Sequence, residues 1–155
     1  MTSGHDWDSG EGLIRIDDPA EVDDAFERGA DHLGTAVIGL AFNCSLAEAA
    51  PRIVLATRLP DLRQRAYAFT AAAHVARFHG ELTPELYAVL RAEGSEGTSG
   101  DAIDDTLSFV PFRDLPPWLK RRKVLRIVWS RVEVCRLRSG DAVGCAWRAL
   151  RGRRP

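Results

Sequence analysis

Between Asp18 and Gly94 the sequence is punctuated by matched helix starts and stops, and that punctuation reads as nearly all helix. In "DPAEVDDAFERGA", Asp18 supplies a carboxylate for the unpaired N–H groups of a first turn. Pro19 fits that turn because it has no N–H to lose, and Gly29 ends the run. "DHLGTAVIGLAFN" follows as a helix weakened by Gly34 and Gly39. "SLAEAAPRIVLATRL" opens on Ser45 with Glu48 three residues later, a capping box, and Pro51 must either kink this helix or mark a new start. Pro60 opens "PDLRQRAYAFTAAAHVARFHG" and Gly80 closes it. Thr83, Pro84 and Glu85 start "TPELYAVLRAEG", and Gly94 stops it. "DAIDDTLSFV" and "SGDAVGCAWRAL" add two more helices. Residues 124–138 are rich in β-branched side chains and fit a strand or a helix; helix is preferred because a lone strand would have no partner.

The expected fold is therefore all-α, with seven or eight helices in one domain over residues 18–151. Residues 1–17 are expected to be a mobile acidic tail, 94–100 a flexible loop, 115–151 a basic helical segment and 152–155 a terminal tail. Leu62, Phe69, Leu86, Leu90, Leu107, Leu125 and Trp129 are the expected core. A chain of 155 residues is long enough to bury a sizeable core without metal or disulfide support. No apolar run approaches the length of a membrane span, and the start of the chain lacks the basic and apolar regions of a signal peptide. Cys44, Cys135 and Cys145 are odd in number and lack CxxC spacing, which suits free thiols in the cytoplasm.

The longest helix carries His74 and His79. A helical metal pair needs imidazoles four residues apart, stacked on one face; these are five apart, about 140° around the helix. His79 sits beside Gly80, where its imidazole suits a helix C-terminus. Leu62, Ala66, Phe69, Ala73 and Ala76 form an apolar seam, while Arg63, Tyr67, Thr70, His74 and Arg77 lie opposite. Tyrosine and arginine are frequent binding anchors, so Arg63, Tyr67, His74 and Arg77 are the candidate partner-binding face. The competing reading is a solvated face, or arginines held by Asp104 and Asp105.

A long helix, a tight Gly80 turn and a second helix at Thr83 predict an antiparallel hairpin over residues 60–93, placed at the centre of the domain. An early arginine, alanines at close-packing positions and "LYAVL" in the second helix follow the pattern of HEAT-type repeats. "LPDLRQRAYAFTAAAHVARFHGELTPELYAVLRA" and the following "GDAIDDTLSFV" resemble a family of small actinobacterial helical proteins built on a HEAT-like hairpin. The resemblance covers about residues 58–110, and "DPAEVDDAFERG" is similar to that family's acidic leading helix. It implies a compact right-handed stack of antiparallel helical hairpins, a fragment of a HEAT-like α-solenoid. Several such proteins resemble immunity-type proteins, so the resemblance also implies neutralisation of a cognate toxin.

No nucleophile elbow, phosphate-binding loop or dinucleotide fingerprint is present, and no catalytic, cofactor-binding or metal-binding residue is expected. Asp101 and Asp105 share a helix face but are better explained by helix-dipole and arginine contacts than by catalysis. Charge is unevenly spread: residues 1–33 carry ten acids and two bases, and residues 120–154 carry twelve bases and two acids. Lys120, Arg121, Arg122 and Lys123 head an alternative basic patch for nucleic acid, or for a membrane surface without insertion. The sequence thus points to a cytoplasmic, non-enzymatic protein-binding module, immunity-like in the narrower form. A nucleic-acid-associated or regulatory protein using residues 120–154 is the alternative.

Overall fold

A computed structural model describes residues 5–131. Six α-helices are α1 (Pro19–Arg28), α2 (Leu33–Asn43), α3 (Leu46–Ala56), α4 (Leu62–His79), α5 (Pro84–Glu93) and α6 (Gly97–Phe109). A seventh, α7, covers residues 117–131, and short 3-10 turns lie at Leu13–Arg15 and Phe112–Asp114. No strand occurs among the described residues, and the fold is all-α. The chain divides into two compact units, Met1–Leu115 and Pro116–Pro155, where one domain over 18–151 was expected. The helix chosen for 124–138 is found as far as residue 131; the rest of it, the helix at 139–150, the 152–155 tail, Cys135 and Cys145 lie outside the described residues.

The caps form where the side chains require them. Asp18 accepts the Ala20 N–H at 2.9 Å, Asp61 accepts the Gln64 N–H at 2.8 Å, and Thr83 accepts the Leu86 N–H at 3.4 Å. Ser45 and Glu48 make the reciprocal capping box, whose hydrogen bonds hold the Glu48 carboxyl below its usual range. Gly29 and Gly80 close α1 and α4 in the left-handed conformation that a side chain would resist. Pro51 starts no new helix: α3 runs through it. Arg52 then ties α3 to α1, donating to both carboxylate oxygens of Asp23 and, at 3.1 Å, to the Pro19 carbonyl.

In the first unit the central elements are α2 and α4; of the hairpin expected over 60–93 only its first helix is central, and α5 packs less closely. α2 is apolar on every side, and Leu33, Ala36, Val37, Ile38, Leu40 and Ala41 are all buried, with both its glycines. Such a helix must be surrounded. Its neighbours are the Leu13–Arg15 turn, α1, α3 and α4. On its other side α4 packs on α6, while α5 packs on α3 and α6. The two helices joined at Gly80 are thus not each other's principal partners.

Other expectations also change. Leu13 and Ile16 are fully buried and the turn they bracket lies on α2, so the stretch from residue 13 to 17 is a strap rather than a mobile tail. Upstream of it, Trp7 donates to Glu21 at 3.1 Å and the Arg28 guanidinium lies 5.8 Å from its ring centre. The expected loop over 94–100 is half helix, because α6 begins at Gly97 and already buries Ser99. Phe69, Leu86, Leu90 and Leu107 are buried as expected. Leu62 is 70% exposed because it is the first residue of α4, ahead of Ala68 where burial begins. Leu125 and Trp129, on α7, are also exposed.

Candidate functional site

Seven residues of α4 are buried, from Ala68 to Ala76, and they cover more than half its circumference. One stripe stays outside, and Arg63, Tyr67, His74 and Arg77 all lie on it. Two sub-sites result. At the start of the helix, Arg63 Nε donates to Tyr67 Oη at 3.0 Å, and the guanidinium lies 5.7 Å from the tyrosine ring centre. This contact uses one of the five N–H donors of the guanidinium.

The second sub-site is richer than the sequence indicated. His74 lies against Phe42 from the end of α2, with ring centres 4.6 Å apart. Phe78, one turn along α4, stacks on His74 at 6.0 Å and approaches Phe42 at 5.4 Å. Arg77 pairs with Asp105 of α6 at 3.0 Å and lies 4.9 Å from the ring centre of Phe109. Of the two expected acids it is Asp105, not Asp104, that bonds this arginine; the Asp104 carbonyl accepts from the Ser108 hydroxyl. The three phenylalanines remain 44%, 56% and 44% exposed for Phe42, Phe78 and Phe109. α2 and α4 thus assemble an aromatic cluster around one imidazole, and α6 adds Asp105 and Phe109 around the neighbouring Arg77.

His74 Nδ1 is buried and has no hydrogen-bond partner among the described residues. Desolvation by burial and, less strongly, the Arg77 charge lower the His74 pKa below 6.5, with Asp105 opposing them. The pH dependence follows directly. Above pH 6.5 the imidazole is largely neutral both folded and unfolded; below it the unfolded chain binds a proton that the folded ring resists. Stability is therefore lost as pH falls below the unfolded value, and the loss levels off once the folded ring also titrates. The melting temperature of the native chain should decline more steeply than that of His74→Phe between about pH 7 and pH 5. Parallel profiles would show that His74 is not desolvated.

The other candidate residues lie elsewhere. His79 is exposed in the last turn of α4, and no group of three or more His, Cys, Asp or Glu is placed to hold a metal among the described residues. Cys44 is half-buried, its thiol donates to the Asp17 carbonyl at 3.4 Å, and burial raises its pKa. Lys120, Arg121, Arg122 and Lys123 are on α7, in the second unit. No described helix is long and apolar enough to cross a membrane. Reasoning from the sequence missed Phe42, Phe78 and Phe109. Only Phe78 carried a local signal, as the residue one turn after His74. No known protein family matches this chain, and neither does any curated protein or solved structure.

Proposed function

We propose that this chain is a cytoplasmic, non-enzymatic protein-binding module whose contact surface is the cluster of Phe42, His74, Phe78, Arg77 and Phe109. The observation that carries this reading is that Phe42 and Phe78 are held half in water against His74, with the half-exposed Phe109 beside Arg77. Aromatic side chains left exposed together favour a partner that removes them from water, and aromatic and arginine residues are common anchors of interfaces. The Arg77–Asp105 pair at the edge supplies directed polar groups for orientation. The partner that fits is a protein presenting an apolar knob to the rings and a polar rim to the pair.

The narrower reading, an immunity-like protein that neutralises a cognate toxin, rests on the resemblance over residues 58–110. The HEAT-like stack of hairpins has the same basis. The test starts from the neighbouring genes, where this reading expects a large secreted protein with a variable C-terminal toxin domain; that domain is then co-expressed with this chain. Phe78→Asp and Arg77→Ala should each leave the melting temperature within a few degrees of native. An exposed ion pair contributes only about 0–1 kcal/mol, and surface substitutions cost about as little. Phe78→Asp should nevertheless abolish growth rescue. Rescue that survives Phe78→Asp overturns the assignment of the surface. Salt-sensitive retention on DNA or RNA, lost when Lys120 to Lys123 are neutralised, would instead support the nucleic-acid reading.

A further inference from the structure

The second unit presents a surface that the protein-binding reading does not use. Across residues 117–131, α7 carries six basic residues and no acid. Near its end Val124, Leu125, Ile127, Val128 and Trp129 are all exposed, between 48% and 69%. At about 100° per residue these five fill one broad arc of the helix, and Lys123, Arg126 and Ser130 fill the opposite one. Lys120 and Arg121 precede the apolar arc along the axis, and Arg131 follows it.

We propose that α7 is a docking surface for an anionic phospholipid bilayer, which it binds in the plane of the headgroups without crossing. Charge selects the partner. With six bases and no acid, the helix suits an anionic surface, and a second copy of the same helix would meet like charge. The apolar arc then separates the two common polyanions. A nucleic acid neutralises the bases but leaves four aliphatic side chains and an indole in water. A bilayer takes both, because the aliphatic groups enter the acyl boundary, Trp129 sits at headgroup depth, and the flanking bases meet lipid charges. The bases and the apolar side chains, which compete for one helix in water, become complementary at that boundary.

The experiment is co-sedimentation of the full chain with phosphatidylcholine–phosphatidylserine vesicles and with pure phosphatidylcholine vesicles. Binding to the first, weak binding to the second and a decrease with added salt are expected. Ile127→Asn combined with Val128→Asn should lower retention by about tenfold or more, because two of the five apolar side chains of the arc become polar. Trp129→Asn, a separate substitution at an exposed position, should act in the same direction. Phe78→Asp, in the other unit, should leave retention unchanged. Circular dichroism verifies that each variant keeps the native helix content. Equal sedimentation with both vesicles, or none with either, overturns the proposal. So does retention indifferent to both apolar variants, and duplex DNA binding that survives those variants while vesicle binding is absent identifies a polyanion site instead.

Discussion

Gly34→Ala is expected to destabilise the fold by about 3 kcal/mol, at the upper end of what overpacking a core costs. Helix propensity alone predicts the opposite sign, a gain of up to about 1 kcal/mol from replacing glycine with alanine. The geometry decides between them. A Cβ at Gly34 would stand 2.2 Å from the Gln64 carbonyl oxygen, and Gln64 belongs to the backbone of α4. The same residue's side chain accepts the Gly34 N–H at 2.8 Å, so the two helices are already drawn together there. Relief requires one helix to move, and both are packed on other neighbours. Denaturant unfolding of the native and alanine chains measures the difference. A more stable alanine variant would mean that α2 and α4 are not in this close contact.

Leu13→Ala and Ile16→Ala should each cost about 2–4 kcal/mol, because each empties a fully buried aliphatic site that cannot collapse completely. Truncation through residue 17 removes both side chains and uncovers the face of α2 around Gly39, where a Cβ would meet the Leu13 carbonyl at 2.3 Å. Thermal melting of the truncated chain should therefore start far below that of the native protein. A tail free in solution would predict no change, so an unaltered melting curve would return these residues to that status.

Helix boundaries were legible because their causes are local. Asp18, Ser45, Thr83, Gly29 and Gly80 act within a few residues of themselves, and each does so in the fold. The arrangement was less legible, for two physical reasons. A helix such as α2, apolar all round, has no periodic face to read, and its two glycines register as weakness until the backbones they admit are seen. The alanines of α4 suggest one seam by their spacing, yet small side chains permit close approach on several sides, and α4 is packed by α2, α3 and α6. Arg63, Tyr67, His74 and Arg77 could be grouped from the sequence because they share one helix, and two of them, His74 and Arg77, belong to the aromatic cluster. Phe42 and Phe109 join them only through tertiary packing, and no spacing in the sequence encodes that meeting.

The position of α2 bears on how the chain acquires its structure. Every element that packs closely on α2 lies between Leu13 and His79, nearby in sequence on either side of it. Closing short loops costs little conformational entropy, and chains dominated by such local contacts fold in microseconds to milliseconds. The shell around α2 is complete as soon as α4 has formed, before α5 and α6 are required. In a chain emerging from the ribosome, the most water-averse helix can therefore be enclosed while the later segments are still being synthesised. That ordering limits how long its bare surface is open to aggregation.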